Sequence, residues 1–251
     1  MTLLAVERIK LFTTRSPLWC TLVALVVFVG FAALVTGVDE ADPSISATQF
    51  GYGFGIVVIM VMATLAITTE YRFGTIKATF QAIPNRSAAL LAKTTVVSLF
   101  AGLIGLVAAF GSVGIASLIK PSADLTLNTA YEWRAVAGVS LVFVFAAVIS
   151  VAVGILVRHS AGAVSIVLIY SQLVESLVTL IPNVGQDIQN WMPFYVANKF
   201  LTGDPDSTNR VLNGPPPSNA PLSPWASLAY FAGFAIVMLV ISLVVANKRD
   251  A

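Results

Sequence analysis

Long apolar stretches, almost free of charged residues, recur along the chain and predict its secondary structure. They occupy about residues 17–38, 48–69, 94–119, 135–157, 160–181 and 224–246. Each is close to the ~20 apolar residues that a helix needs to cross the ~30 Å hydrocarbon core of a bilayer. Because backbone groups in lipid must be hydrogen-bonded within the protein, continuous apolar runs favour helices over the alternating strands of a barrel. The pattern predicts an all-α integral membrane protein with six transmembrane helices in a single domain over residues 1–251.

Composition agrees with this pattern and excludes several classes of protein. Of the 251 residues, 57% are hydrophobic and only 10% are charged, whereas a soluble domain carries about 25% charged residues. A single soluble domain, a disordered chain and a nucleic-acid-binding protein are therefore excluded. One cysteine (Cys20) and one histidine (His159) do not supply a disulfide, a haem site or a zinc site. The phosphate-binding motif GxxxxGK[ST] does not occur in the sequence, so we expect no catalytic, metal or cofactor site in this chain.

The distribution of charge predicts the orientation of the six helices. Cytoplasmic loops of membrane proteins are enriched in lysine and arginine. With both termini placed in the cytoplasm, 10 of the 14 basic residues lie on the inner side and only 4 on the outer side. The acidic residues are distributed in the opposite way, with 8 of the 12 outside. A six-span topology with cytoplasmic N- and C-termini fits every loop.

Two connections are longer than a simple turn requires. In the inner loop, residues 70–93, the apolar residues Phe73, Ile76, Phe80 and Ile83 repeat at helical spacing. This pattern predicts a helix at the membrane surface that ends at Pro84. In the outer segment, residues 182–223, the apolar and aromatic part at 183–201 predicts short helices at the interface. Residues 203–224, rich in glycine, proline and polar residues, predict an irregular loop.

Several short motifs, in this order and at this spacing, resemble those of type-2 ABC transporter permeases. The inner loop carries Glu70-Tyr71-Arg72-Phe73-Gly74-Thr75, then the turn Pro84-Asn85-Arg86, and then Lys93. The N-terminal segment, with Glu7-Arg8, Lys10-Leu11 and Arg15-Ser16-Pro17-Leu18-Trp19, is similar to that of actinobacterial members. Trp191-Met192-Pro193 resembles their outer loop. With the six-span plan, the resemblance covers essentially the whole chain.

The resemblance implies a function that composition does not show. The chain would be the permease subunit of an ATP-driven exporter in a bacterial plasma membrane, moving an amphipathic or hydrophobic drug, lipid or peptide. It would pair with a second permease, identical or related, and with two ABC ATPase subunits that bind ATP and Mg. The N-terminal segment would be a connecting helix, and short outer re-entrant helices between spans five and six would gate the exit. The residues that would couple to the ATPase are Glu70, Tyr71, Arg72, Phe73, Gly74, Thr75, Ile76 and Arg86.

The sequence leaves alternatives open for these segments. Glu70 can cap a helix locally, transmit motion from the ATPase, or do both. The basic N-terminal segment can be a connecting helix or only a positive-inside flank that favours anionic headgroups. The whole chain can also be a non-transport membrane scaffold or sensor with the same fold. An intramembrane enzyme is disfavoured because one loop histidine supplies no catalytic constellation.

Glu175 is the only acidic residue well inside a span. An unpaired charge there costs at least about 2.5–3.5 kcal/mol, so it should face protein or water or be protonated. Helical spacing places Gln172 and Thr179 on its face, and the three residues are a candidate translocation path. Alternatively, Glu175 pairs within a dimer or lies in a wet outer vestibule. Small residues four apart also predict close helix packing, at Gly51 and Gly55 and at Gly105 and Ala109.

Overall fold

A computed structural model describes residues 3–38, 42–83, 85–204 and 214–248 of the chain. These ranges are helical or irregular and contain no β-strand. The helices are α1 (Leu3–Thr13), α2 (Arg15–Val38), α3 (Ile45–Thr48), α4 (Tyr52–Arg72), α5 (Thr75–Ala82), α6 (Arg86–Ile119), α7 (Ala130–Val157), α8 (Ser160–Leu168), α9 (Glu175–Leu177), α10 (Gly185–Gln189), α11 (Pro193–Thr202) and α12 (Pro224–Lys248). A π-helical segment (Ile169–Val174) precedes α9, and a 3-10 turn (Val178–Leu180) follows it.

Six helical segments in the described residues are long and apolar enough to cross a membrane, which confirms the predicted number. They are α2, Ile45–Arg72 (α3 and α4), α6, α7, Ser160–Leu180 and α12. The largest differences from the predicted starts are at Arg86 rather than 94 and at Ala130 rather than 135. Side-chain caps account for this, since Asn85 accepts a hydrogen bond from the Ala88 amide and Thr129 forms a capping box with Glu132. With 34 residues, α6 is about 51 Å long, so its ends extend beyond the hydrocarbon core.

Helix α7 is the centre of the bundle and packs against α4, α6 and α12. In its most apolar 18-residue stretch 72% of the residues are buried, compared with 17% in α2, in Ser160–Leu180 and in α12. The predicted small-residue contacts are present. A Cβ atom added to Gly51 would lie 2.3 Å from the Phe28 carbonyl oxygen, and one added to Gly105 would lie 3.1 Å from Ser140 Cα. These glycines therefore let neighbouring backbones approach closely.

The segment between spans five and six contains the two short helices α10 and α11, where short helices were predicted. Helix α11 packs against α7 and α12, and the Tyr230 hydroxyl donates a 2.8 Å hydrogen bond to the Trp191 carbonyl. Residues 214–223 are irregular, as predicted for that part of the loop. Several sequence predictions lie outside the described residues: the helix end at Pro84, the loop at 205–213, and the charges of Asp39, Glu40, Asp206, Arg210, Arg249 and Asp250.

Candidate functional site

The end of α4 and the start of α5 form a tight reversal at Gly74. The Phe73 amide donates to the Thr69 carbonyl (2.9 Å) and the Gly74 amide donates to the Tyr71 carbonyl (3.3 Å), which closes α4. Gly74 has φ = +70°, in the left-handed region that glycine adopts without a Cβ clash. The chain can therefore leave α4 and enter α5 within two residues.

This reversal changes the predicted apolar stripe of the inner loop. Because α5 begins only at Thr75, Phe73 stands outside the helix that carries Ile76 and Phe80. The side chain of Phe73 is 71% exposed, whereas Ile76 is 2% exposed and Phe80 packs on the core. Helical periodicity alone placed Phe73 on the buried face, and the left-handed Gly74 moves it away.

The exposed end of the loop is both aromatic and cationic. We call Arg72, Phe73, Gly74, Thr75 and Lys77 the loop tip, and all five are exposed. The Arg72 guanidinium lies 5.5 Å from the centroid of the Phe73 ring. An aromatic residue beside positive charges is the composition of a protein-binding hot spot.

The other predicted coupling residues point inward and anchor the tip. Ile76 is buried beneath α5, and the Arg86 guanidinium lies 5.5 Å from the centroid of the Phe80 ring. Tyr71 stacks under the guanidinium of Arg158, 5.3 Å away, in the turn between α7 and α8. The eight residues predicted for coupling thus divide into an exposed set and an anchoring set.

Glu70, the fourth anchoring residue, belongs to a cluster of four alternating charges. Lys93 Nζ lies 2.9 Å from Glu70 Oε1 and 2.5 Å from Glu7 Oε2. Lys10 Nζ lies 2.9 Å from Glu7 Oε1 and 3.4 Å from Glu70 Oε1. We call Glu7, Lys10, Glu70 and Lys93 the ion cluster. Its two positive and two negative charges balance.

The ion cluster connects four helices at one point. Glu7 and Lys10 come from α1, Glu70 from α4 and Lys93 from α6. Lys10 Nζ also donates a 3.1 Å hydrogen bond to Thr79 Oγ1 in α5. The side chains of Glu7 and Lys93 are 4% and 7% exposed, so loss of one partner would leave a charge buried without compensation. The cluster therefore holds α5 to the bundle.

The surroundings of Lys10 show the electrostatic balance of the cluster. Partial burial lowers the pKa of Lys10, but the hydrogen bond to Glu7 and the charges of Glu70 and Glu7 raise it by more. The net pKa lies above the usual value for lysine. Because the folded state favours the charged form of Lys10, this charge stabilises the fold fully at pH values below the ordinary lysine pKa. The contribution is lost as pH rises through the folded-state pKa.

The partners in the ion cluster could not be read from local patterns. The sequence showed Glu7, Lys10 and Lys93 as parts of motifs, but Glu7 and Lys93 are 86 positions apart. On α1 the charged residue Glu7 is buried together with Leu11, whereas Arg8 is exposed. The apolar residues Ile9 and Phe12, on the opposite arc, remain about half exposed. The one signal in the sequence was Glu7, a carboxylate within a basic segment next to an apolar span, which indicates a nearby positively charged partner.

A cavity of about 560 Å³ adjoins the ion cluster. It lies between the α1–α2 junction, the last turns of α4 and the beginning of α6. Its polar end includes the four cluster residues and Arg15, and its apolar wall includes Met62, Leu65, Ala66, Val96 and Val97.

Glu175, predicted for the translocation path, is buried against the outer helix α11. Its carboxylate accepts hydrogen bonds from the Phe194 amide (3.0 Å) and the Tyr195 amide (2.8 Å), in the first turn of α11. Gln189 Nε2 donates to the Glu175 carbonyl (3.1 Å). A carboxylate at a helix N-terminus satisfies free amides and complements the helix dipole. The structure thus gives Glu175 a partner within the chain.

Gln172 and Thr179 are exposed, whereas Glu175 is buried. The expected shared face assumed a regular α-helix. In a π-helix the hydrogen bonds run from residue i to i+5, so the segment Ile169–Val174 changes the angle between side chains. Thr179 then lies in the 3-10 turn that ends the span. The structure separates a buried carboxylate from two exposed polar side chains.

Comparison with known proteins gives one family. A model of a family described as ABC-2 family transporter protein matches residues 3–174, which include α1, the loop tip and the ion cluster. The search of curated proteins finds no match for the chain.

Proposed function

The chain belongs to the ABC-2 family of transporter proteins, and we propose that it is the permease subunit of an ATP-driven exporter. As a family member with six apolar helices, it is a multi-pass plasma-membrane protein. Permeases of this family are transmembrane subunits and work with ABC ATPase subunits. Two ATPase subunits that bind ATP and Mg, a second permease copy, cytoplasmic termini, and outward movement of an amphipathic or hydrophobic cargo belong to the proposal.

The observation that carries this proposal is the loop tip. Phe73 is 71% exposed at the end of a helical hairpin, beside Arg72 and Lys77. A large aromatic side chain on an exposed protrusion marks an interaction site, and aromatic and arginine residues dominate binding energy at interfaces. We place Phe73 in a groove of the ATPase, with the two cations at the rim of the contact. In this role α5 is the coupling helix.

The anchoring set would transmit a movement of the tip into the membrane. The tip continues directly into α4 through Gly74, and α5 is joined to α1, α4 and α6 through Thr79 and the ion cluster. A displacement of the tip by the ATPase therefore acts on several helices at once. Elements that share buried ion pairs and packed side chains can carry energetic coupling between sites. Under this proposal, Glu70 acts in transmission as a member of the cluster.

Span five would contribute to the cargo path. Gln172 and Thr179 are exposed on a segment that crosses the membrane. A polar side chain facing hydrocarbon is unfavourable, so this face would meet water or the second permease copy. Glu175 would hold α11, the candidate outer gate, against span five through the Phe194 and Tyr195 amides.

Copurification with the ABC ATPase encoded beside this gene tests the proposal. We expect Phe73→Ala to weaken ATPase association by at least about 30-fold, which corresponds to the ~2 kcal/mol of an interface hot spot. Phe110→Ala is the matched control. Phe110 is also an exposed phenylalanine (40%), but it lies in the C-terminal half of α6 and not in the loop tip. Equal association of both variants would contradict docking through the tip. Association without cargo-stimulated ATP hydrolysis would favour a scaffold or sensor.

A further inference from the structure

The cavity beside the ion cluster has a charged end and an apolar wall. We propose that it binds one anionic phospholipid, with the phosphate at Arg15 and an acyl chain along α4 and α6. A lipid site goes beyond the proposed transport function and does not depend on an ATPase partner.

The charge of the lining favours an anion. Three cations and two carboxylates line the cavity, which leaves one positive charge. Glu7, Lys10, Glu70 and Lys93 compensate one another in the ion cluster. Arg15 is exposed, and among the described residues it forms no ion pair. The uncompensated charge is therefore at Arg15, where α2 begins.

The apolar wall favours a lipid over a soluble anion. Met62, Leu65 and Ala66 lie on α4, one to two turns before Glu70, and Val96 and Val97 lie on α6. The eight helical steps from Met62 to Glu70 correspond to about 12 Å of helix. The volume of about 560 Å³ lies in the ~300–1,000 Å³ range of small-molecule sites. Basic pockets between transmembrane helices bind anionic lipid headgroups, and the apolar length would hold part of one chain.

Such a lipid would fill the space between α1 and the helices that α1 contacts through the ion cluster. Leu11 and Thr14 of the α1–α2 junction line one side of the cavity, and Leu65 and Val97 line the other. A bound acyl chain would add apolar contacts to the side chains on both sides of the cavity. The lipid would then stabilise the position of α1 in addition to the ion pairs.

Native mass spectrometry of the full chain tests this site. The protein is reconstituted in nanodiscs of phosphatidylcholine containing phosphatidylglycerol, and the lipids retained after mild detergent extraction are counted. We expect the wild type to retain one phosphatidylglycerol per chain with at least about a tenfold preference over phosphatidylcholine. Arg15→Gln should abolish this preference. Arg8→Gln removes the same charge from an exposed position that does not line the cavity, and it should behave like the wild type.

A second pair of variants tests the apolar wall. Ala66→Phe fills the cavity and should lower retention of both lipids, whereas Ala229→Phe, at an exposed position of α12, should not. A rise in Tm on addition of phosphatidylglycerol is an independent readout, expected for the wild type and Arg8→Gln and absent for Arg15→Gln. The proposal is overturned if the wild type retains the two lipids equally, or if Arg15→Gln and Arg8→Gln give the same preference. Retention of a non-lipid cargo instead of phosphatidylglycerol would also overturn it.

Discussion

The ion cluster predicts a large and specific effect of Lys93→Met. Lys93 contacts Glu70 at 2.9 Å and Glu7 at 2.5 Å, and its side chain is only 7% exposed. At an effective dielectric constant of about 20, each contact contributes attraction of about 6 kcal/mol, from which the cost of burying the ions must be subtracted. Breaking a buried pair on one side typically costs about 3–5 kcal/mol. We expect Lys93→Met to lower the free energy of unfolding by that amount.

The expected cause is an unbalanced charge, which a second substitution can restore. In Lys93→Met, Lys10 remains as the single cation beside two carboxylates. In Glu7→Gln combined with Lys93→Met, one cation and one carboxylate remain, Lys10 and Glu70, which lie 3.4 Å apart. The double variant should therefore recover about 1–3 kcal/mol relative to Lys93→Met, within the range of coupling energies between contacting residues.

Unfolding of the purified protein in mixed micelles with increasing sodium dodecyl sulfate, followed by tryptophan fluorescence, measures these free energies. Lys248→Met, an exposed lysine at the end of α12, is the control and should change stability by less than about 0.5 kcal/mol. The reasoning is refuted if Lys93→Met is no more destabilising than Lys248→Met. It is also refuted if the double variant loses the sum of the two single effects.

Three further substitutions and one control test contacts made by the backbone. Gly51→Ala should lower stability by about 3 kcal/mol or more, because the added methyl would lie 2.3 Å from the Phe28 carbonyl oxygen. Gly53→Ala, two positions after Gly51 and inside α4, has open space around the added methyl among the described residues and should raise stability by up to about 1 kcal/mol. Gly74→Ala should cost about 1–2 kcal/mol, because φ is +70° there. Glu175→Gln should cost about 1.5–3 kcal/mol and speed hydrogen exchange in α11, because the Phe194 and Tyr195 amides are bonded to different carboxylate oxygens and glutamine replaces one of these with an NH2 donor.

The glycine variants are measured by the same unfolding assay, with Gly53→Ala as their shared control. Destabilisation by Gly53→Ala equal to that by Gly51→Ala would show that the contact with α2 is not responsible. A neutral Gly74→Ala would contradict the left-handed reversal. For Glu175→Gln, exchange in α11 as slow as in the wild type would contradict the capping role.

The transmembrane spans were predictable because hydropathy is local. Each span requires only that about 20 consecutive residues be apolar, and the sequence shows this directly. The ends of the helices were less predictable, since they depend on single capping residues such as Asn85 and Thr129. These caps extend α6 and α7 beyond the apolar stretches.

In the inner loop, the local pattern of apolar residues predicts only part of the structure. The repeat at Ile76 and Phe80 correctly indicated a helix there, and the structure contains it as α5. The same repeat extended to Phe73 failed, because one left-handed glycine ends α4 before α5 begins. In span five, Gln172 lies in a π-helical segment and is exposed, whereas Glu175, which helical spacing placed on the same face, is buried.

The sequence by itself determined the number of spans and the family motifs of the N-terminal segment and the inner loop. The number of spans depends on the free energy of placing each residue in lipid, which is nearly additive along the chain, and the motifs are visible as short runs of residues. Only the tertiary structure decided which charges meet. The contact between Glu7 and Lys93 joins residues 86 positions apart, and the carboxylate of Glu175 reaches amides 19 and 20 positions away. Such contacts depend on how whole helices pack, because a buried charge is stable only where the fold supplies its partner.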